Sequence, residues 1–232
     1  MTQIKAVIFD KDGTLFDFRQ SWGAWTKSLL AELRPYARGD LAQVLGFNPG
    51  TFDFAPDSPV IAQTTFEIAE LVHAHLEGIS HKALIEMMNH LAATAPMVPA
   101  VALPQILSDL KHRGLKLGLA TNDTEVPARA HLSNAGVLDL FEFIAGCDSG
   151  YGGKPEAGQL LAFAAAIGVP PAQIAMVGDS LHDLDAARRA GMRAVGVLTG
   201  PALRATLTPH ADVVLGTIAR YYNAACTIFF KK

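Results

Sequence analysis

The segment VIFDKDGTL at residues 7–15 constrains this chain more than any other, because it sets two carboxylates two residues apart where an apolar run ends. Residues 4–9 are short and mostly apolar, which is typical of a buried parallel strand. Gly13 allows a sharp turn directly afterwards. We therefore expect Asp10 and Asp12 at the carboxyl end of a strand. An Asx-type turn with a capping aspartate is the structural alternative.

Three later segments repeat this arrangement of an apolar strand followed by polar residues. They are residues 115–120 before Thr121 and Asn122, 141–145 before a loop that ends in Lys154, and 174–177 before Asp179 and Asp183. Helical patterns between them cover residues 105–112, 126–135, 156–167 and 184–190. This alternation predicts an α/β fold with a doubly wound parallel sheet. In such a sheet the strand ends open onto one crevice where ligands bind, so these polar side chains are expected in one site.

The predicted site sets four aspartates against one lysine. Like charges at close range raise one another's pKa, so the acids need a balancing cation. The candidate ligands are hard oxygens with no cysteine or histidine cluster nearby, which favours Mg²⁺. The candidate metal ligands are Asp10, Asp12, Asp179 and Asp183, and the candidate phosphate-binding residues are Thr121, Asn122 and Lys154. This set suits phosphoryl transfer, with one aspartate left to act as a nucleophile.

At these motifs the chain resembles the haloacid dehalogenase superfamily, and within it the phosphatases that are similar to phosphoglycolate phosphatase. The resemblance covers about residues 4–215, apart from most of an insert described below. It implies a Rossmann-like core and an aspartyl-phosphate intermediate. The implied roles are Asp10 as nucleophile, Asp12 as general acid and base, Thr121 as phosphoryl-binding hydroxyl, Lys154 as charge-neutralising group, Asp179 as magnesium ligand and Asp183 as a support for the metal or the lysine. Dehalogenases of the superfamily lack the second aspartate of the first motif, so Asp12 favours a phosphate substrate.

Two positions depart from the family pattern. Lys11 stands where relatives often have an apolar residue; its charge either neutralises local acids, which we favour, or protrudes toward the insert. After Pro155 the chain reads Glu156-Ala157-Gly158, where many relatives have a second proline, so the next helix can start at a different residue. Neither departure changes the expected chemistry.

Residues 16–96 leave the strand and helix alternation and are predicted to form an inserted helical cap domain. Residues 1–15 and 97–232 are then the core domain. Within the insert, apolar residues recur at helical spacing over residues 22–33, 41–45, 61–76 and 82–93. By resemblance, such a cap encloses a small substrate and excludes water when it closes.

Substrate selection is expected on the cap surface that faces the crevice. The loop at residues 53–59 is the main candidate, with a solvent-facing connector as the favoured alternative. Arg19, Arg34 and Arg38 are candidates for holding a substrate carboxylate, and for each of them a solvated surface charge is the favoured alternative.

Composition agrees with a cytoplasmic enzyme. The chain has 232 residues and a formal net charge of −3, which offers no electrostatic footprint for nucleic acid. No signal pattern precedes the first strand, and the alanine-rich helix at residues 160–166 is too short to span a bilayer, so no membrane partner is expected. Two cysteines, Cys147 and Cys226, do not suggest a disulfide framework. The apolar run at residues 224–230 either packs on the core or contacts a second copy, which leaves a homo-oligomer open.

The expected function is a Mg²⁺-dependent phosphomonoester hydrolase that acts on a small phosphorylated metabolite, with phosphoglycolate as one candidate. A phosphomutase of the β-phosphoglucomutase kind is the alternative, because it uses the same intermediate and passes the phosphoryl group to a sugar. A non-enzymatic regulator is disfavoured because all the catalytic groups are present. A phosphonate hydrolase would need an imine-forming lysine in the insert, such as Lys27 or Lys82.

Overall fold

A six-stranded parallel sheet forms the centre of the computed structural model, which describes residues 3–219. The strands of the chain are β1 (Ala6–Phe9), β2 (Phe47–Asn48), β3 (Asp53–Phe54), β4 (Lys116–Ala120), β5 (Phe143–Ala145), β6 (Ile174–Gly178), β7 (Arg193–Val197) and β8 (Val213–Leu215). The sheet order is β5-β4-β1-β6-β7-β8, and β2 pairs with β3 in a separate antiparallel hairpin. The chain thus extends the sheet first on one side of β1 and then on the other, and ligands bind at such a switch in strand order.

Helices cover both faces of this sheet. The helices are α1 (Phe18–Leu33), α2 (Leu41–Val44), α3 (Thr65–His73), α4 (His81–Thr94), α5 (Leu103–His112), α6 (Glu125–Asn134), α7 (Gly158–Ile167), α8 (Leu181–Ala190) and α9 (Arg204–Leu207). Side chains alternate along β1, because successive residues of a strand point to opposite faces. Val7 and Phe9 pack with residues of α5 and α6, whereas Ala6 and Ile8 pack with residues of α7 and α8. The predicted doubly wound α/β fold is confirmed.

The insert between β1 and α5 contains α1 to α4 and the small hairpin. Its buried side chains, among them Trp25, Leu29, Val72 and Leu84, form a cluster of their own. The division into residues 1–15 with 97–232 and residues 16–96 stays a prediction. None of the helices within residues 3–219 has the length and apolar character needed to cross a bilayer. The apolar run at residues 224–230 and Cys226 lie outside the described residues.

The continuous helix predicted over residues 61–76 is wrong. The chain instead makes a 3₁₀ turn at Pro59–Ile61, leaves helical conformation, and starts α3 at Thr65. The reason is a capping box: the Thr64 hydroxyl accepts from the Glu67 backbone N–H, and the Glu67 carboxylate accepts from the Thr64 N–H. These bonds satisfy the free N–H groups of a helix start and therefore stabilise a break before Thr65.

Candidate active site

The carboxyl ends of neighbouring strands bring the predicted site residues together. Asp10 follows β1, Thr121 follows β4 and Asp179 follows β6, so the parallel register sets all three at one edge of the sheet. Lys154 reaches the same edge from the loop after β5. All seven residues predicted for the site line a single cavity between this edge and the insert.

The Lys154 cluster consists of Lys154, Asp10 and Asp183. The buried ammonium of Lys154 donates to Asp10 Oδ1 at 2.5 Å and to Asp183 Oδ1 at 2.7 Å. Its third hydrogen bond goes to the Ala120 carbonyl at the end of β4, at 2.8 Å. Burial disfavours the charged form of Lys154, but the Asp10 and Asp183 charges outweigh burial and raise the pKa of Lys154 above its usual value. The cluster therefore contains a permanent cation held by the sheet.

Three carboxylates of this region lie close enough to share a metal ion. One oxygen each from Asp10, Asp179 and Asp183 lies within 4.8 Å of the others. The pKa of Asp10 is raised to about 7, mainly by burial. The Asp183 and Asp12 charges add to this rise, and the Lys154 charge opposes it. Burial, with the Asp10 and Asp183 charges, also raises the pKa of Asp179. When all three acids are ionised they carry more negative charge than Lys154 balances, so without a further cation the raised pKa values favour protonation of Asp10 and Asp179.

The three carboxylates fit a hard divalent cation such as Mg²⁺. Their ligand atoms are all oxygens, which this ion prefers. Asp179 is fixed by close backbone on two sides, because a Cβ at either Gly13 or Gly200 would overlap with its carboxylate. Its Oδ1 also accepts from the Thr14 hydroxyl at 3.3 Å. Within residues 3–219 this is the only such group of histidine, cysteine, aspartate and glutamate side chains.

The Lys11 cluster consists of Lys11, Asp12, Asp123 and His131. Lys11 is fully buried, with Nζ 3.0 Å from Asp12 Oδ2 and 2.9 Å from Asp123 Oδ2. His131 Nδ1 lies 2.9 Å from the same nitrogen. Burial disfavours the ammonium, but the Asp12 and Asp123 charges raise the pKa of Lys11 above its usual value. Lys11 thus neutralises local acids, the role favoured from the sequence, and also contacts the insert, where the Trp22 ring centre is 5.1 Å away.

Asp12 lies outside the group of three carboxylates. Its Oδ2 pairs with Lys11, and its Oδ1 is buried without a hydrogen-bond partner. Asp12 lines the cavity, and Oδ1 is the oxygen whose hydrogen-bonding capacity is unused. The prediction that Asp12 also contacts the metal stays a prediction.

The insert contacts the core beside the site through Ala62 and Thr65. The Ala62 carbonyl accepts from Asn122 Nδ2 at 2.8 Å and lies 3.2 Å from His182 Nδ1. The Thr65 N–H donates to the Asn122 carbonyl at 3.3 Å. Asn122 also binds the backbone N–H and carbonyl of Lys154 through its side-chain amide. Asn122 therefore joins the lysine loop to the insert, and its contact with substrate stays a prediction.

The part of the insert that faces the cavity differs from the one predicted. The lining residues from the insert are Phe18, Trp22, Val60, Ile61, Ala62, Gln63 and Thr65. The candidate loop at residues 53–59 is not among them, and neither are the three candidate arginines. Arg19 pairs with Asp53 at the surface. Because the predicted helix is broken before Thr65, residues 60–63 and Thr65 face the cavity, whereas the loop at residues 53–59 does not line it.

Two residues near the chemistry escape sequence reasoning. Gly200 follows β7 and belongs to no recognised motif, yet its backbone closes on the Asp179 carboxylate. His131 lies within α6, where a buried histidine resembles any satisfied core residue. For His131, a signal was available in the unusual Lys11, since a buried ammonium requires acceptors in addition to Asp12.

Comparisons with known proteins agree with this geometry. A family model described as haloacid dehalogenase-like hydrolase matches residues 4–191. The chain belongs to the haloacid dehalogenase-like hydrolase family. Among relatives of this hydrolase, a phosphoglycolate phosphatase of Chromobacterium violaceum is 30% identical over 236 residues, which cover 96% of this chain and 97% of that protein. The predicted class of enzyme, a phosphatase, is confirmed by the family and its relatives.

Two solved structures share the fold of this hydrolase at lower sequence identity. The crystal structure of a predicted phosphoglycolate phosphatase from Haemophilus somnus aligns with a TM-score of 0.76 at 20% identity, covering 97% of this chain and 99% of that chain. A β-phosphoglucomutase from Clostridium difficile aligns with a TM-score of 0.64 at 20% identity, covering 96% of this chain and 99% of that chain. At these identities the structures establish the fold alone.

Proposed function

We propose that this hydrolase is a Mg²⁺-dependent phosphomonoesterase that forms an aspartyl phosphate on Asp10. The convergence of Asp10, Lys154 and Asp179 at one edge of the sheet, beneath the insert, is the observation that carries the proposal. The name of the Chromobacterium violaceum relative supports the same class of reaction. The proposed substrate is a small phosphorylated metabolite, and that name makes phosphoglycolate the first candidate.

Asp10 is the proposed nucleophile. Its carboxylate attacks phosphorus, and the bond from phosphorus to the leaving oxygen breaks as the new bond forms. The Lys154 ammonium offsets the charge of the incoming phosphate, and the Thr121 hydroxyl donates to a phosphoryl oxygen. Bound Mg²⁺, held by Asp10, Asp179 and Asp183, would neutralise further charge on the phosphoryl group.

Asp12 is the proposed general acid and base. Its free Oδ1 donates a proton to the leaving alkoxide in the first half-reaction. The resulting carboxylate then takes a proton from the water molecule that attacks the aspartyl phosphate. Inorganic phosphate leaves, the Asp10 carboxylate is restored, and Asp12 again holds a proton.

The rest of the substrate meets the wall formed by the insert. Phe18, Trp22 and Ile61 give this wall an apolar side, while Gln63 and the core residue His182 give it a polar side. A short leaving group with a polar end therefore suits the cavity. Gln63 and His182 are the proposed contacts for the carboxylate of phosphoglycolate.

The test is phosphate release from a panel of phosphorylated metabolites, with and without Mg²⁺, together with trapping of the intermediate. Asp12→Asn, incubated with p-nitrophenyl phosphate and quenched in acid, should carry one phosphoryl group on the peptide that contains Asp10. Asp10→Asn is the matched control and should carry none. Phosphate release by Asp10→Asn at the native rate would contradict the covalent mechanism.

The same panel tests the phosphomutase alternative. A mutase would convert a sugar 1-phosphate to the 6-phosphate with little release of inorganic phosphate, whereas a phosphatase would release phosphate from every good substrate. A cytoplasmic location and a homo-oligomer stay predictions.

A further inference from the structure

The Lys11 ammonium has three protons and three acceptors. Two of these are the Asp12 and Asp123 carboxylates, at 3.0 Å and 2.9 Å, and the third is His131 Nδ1 at 2.9 Å. Since Lys11 can only donate, Nδ1 of His131 must be the acceptor and Nε2 must carry the ring hydrogen. Each proton of this buried cation is thus used, which fixes the position of Lys11 and of the Asp12 oxygen that it holds.

The cluster continues from the core into the insert along two routes. His131 Nε2 lies 2.7 Å from the Ala92 carbonyl in α4, so the ring hydrogen is donated to the insert. On the other route, the Thr65 hydroxyl at the start of α3 lies 3.5 Å from Asp123 Oδ1. Both Ala92 and Thr65 belong to the insert, so its docking supplies partners to the groups that surround Lys11.

We propose that Lys11 is a positioning residue for Asp12, and that it holds the carboxylate correctly only while the insert is docked on the core. Lys11 fixes Oδ2 and leaves Oδ1, which has no hydrogen-bond partner, as the oxygen that exchanges a proton. The inference rests on the proposed acid and base role of Asp12. It adds that docking of the insert orders the acid and base as well as enclosing the substrate.

The experiment compares native protein, Asp12→Asn and Lys11→Met in rapid-mixing assays with p-nitrophenyl phosphate and with phosphoglycolate. Nitrophenolate leaves without a proton, so Lys11→Met should still release about one equivalent in an initial burst. Steady turnover should then fall by about 10- to 1,000-fold, because attack by water needs the base. Phosphoglycolate, whose alkoxide needs the acid, should show no burst and a loss at least as large.

A merely structural role for Lys11 gives a different result. If Lys11 only supports the fold, the molecules of Lys11→Met that remain folded, counted by circular dichroism, should show a native burst and native turnover of both substrates, and that outcome overturns the proposal. Loss of the nitrophenolate burst in folded Lys11→Met overturns it as well. If Asp12→Asn itself does not show a nitrophenolate burst followed by slow turnover, the proposed acid and base role of Asp12 is wrong. If Asp12→Asn shows this burst and slow turnover but Lys11→Met does not, only the positioning role of Lys11 is wrong.

A second pair of variants tests the link to the insert and also serves if Lys11→Met does not fold. His131→Leu removes the acceptor for Lys11 and the donor to Ala92, while His131→Gln can replace both through its amide. His131→Leu should show the burst followed by slow turnover, and His131→Gln should recover turnover to within about threefold of native. Equal kinetics in the two variants would show that the contact with the insert does not govern Asp12.

Discussion

The side chains of two buried lysines meet beside the end of β1, Lys11 from the turn after β1 and Lys154 from the loop after β5, and each binds two aspartates and one further acceptor. For Lys154 the third acceptor is the Ala120 carbonyl, a fixed part of the central sheet. For Lys11 it is His131, whose other nitrogen reaches the insert at Ala92. Both clusters therefore contain one lysine and two aspartates, but the third acceptor of the lysine is a backbone carbonyl of the sheet in one and a histidine bonded to the insert in the other. All three acceptors of the Lys154 ammonium belong to the core, whereas one acceptor of Lys11 is itself bonded to the insert.

The two lysines also differ in what can replace them. Removing either one leaves two carboxylates without their cation. For the buried Lys154 cluster the loss is on the order of 3 to 5 kcal/mol, and for Lys11 it is smaller because Asp12 is partly exposed. Around Lys154, a metal ion on Asp10, Asp179 and Asp183 can offset part of that charge. No comparable metal-binding group surrounds Lys11 in the described part of the chain. The Lys154 cluster is thus the one that should respond to Mg²⁺.

The largest expected effect is the loss of turnover in Asp10→Asn, and it distinguishes the role of the nucleophile from that of Lys11. Asp10→Asn keeps the shape of the side chain and removes the charge that attacks phosphorus, so turnover should fall by on the order of 10⁴-fold or more, with no burst of nitrophenolate. Lys11→Met, by comparison, should keep the burst. Stopped-flow absorbance measures both. Asp53→Asn, at the exposed pair with Arg19, is the surface control and should behave as native.

A smaller effect is expected from the backbone around the metal site. Gly200→Ala would set a Cβ against the Asp179 carboxylate, so the side chain must move. The Mg²⁺ concentration for half-maximal activity should rise by about 10- to 100-fold, as for other changes that reorient a ligand. Gly50→Ala, in an exposed loop of the insert, is the matched control. An unchanged Mg²⁺ requirement in Gly200→Ala would remove Asp179 from the proposed ligands.

The Lys154 cluster could be predicted from sequence because its residues follow parallel strands, and the order of those strands alone brings the residues together. Asp10, Thr121 and Asp179 each follow an apolar run, and the ends of such runs must meet once the strands are parallel. The break before Thr65 was also readable, since Thr64 and Glu67 have the spacing of a capping box. That signal was outweighed by the apolar residues that continue at helical spacing on either side.

The Lys11 cluster could be predicted only in part. The sequence indicates that Lys11 meets local acids, and Asp123 follows β4, the strand paired with β1. His131, however, becomes a partner of Lys11 through the packing of α6 against the core and α4. No motif specifies such packing, and the same applies to the approach of Gly200 to Asp179. Contacts that depend on how helices dock are settled by the whole core, so one sequence does not reveal them.

The pH dependence of metal binding gives a test of intermediate size. In metal-free protein the pKa of Asp10 is raised from 3.8 to about 7, so folding takes up a proton. The stability from this proton is present below about pH 4 and is lost as the pH rises through about 7. Mg²⁺ binds the deprotonated acids, so its stabilising effect should grow over the same range.

Thermal unfolding measures this effect. With Mg²⁺ at one fixed concentration, about 100 times its Kd at pH 8, the rise in Tm should be about 5 to 10 °C near pH 8 and much smaller near pH 5, where the Kd is higher. Lys11→Met should keep this pH-dependent rise, since its cluster lies outside the three carboxylates, whereas Asp10→Asn should lose most of it. A rise in Tm that is the same at both pH values would contradict the raised pKa of Asp10.

The smallest expected effect concerns the wall of the insert, which should act on the leaving group without disturbing either lysine. Gln63→Ala removes an exposed amide that lines the cavity, so kcat/KM for phosphoglycolate should fall by about 3- to 10-fold. For p-nitrophenyl phosphate, whose activated leaving group needs little help, the change should stay within about twofold. Arg19→Ala is the control, because its exposed pair with Asp53 contributes little and lies outside the cavity. Equal losses on the two substrates in Gln63→Ala would mean that the amide supports the docking of the insert, which would then act through Lys11 and Asp12 rather than through contact with the leaving group.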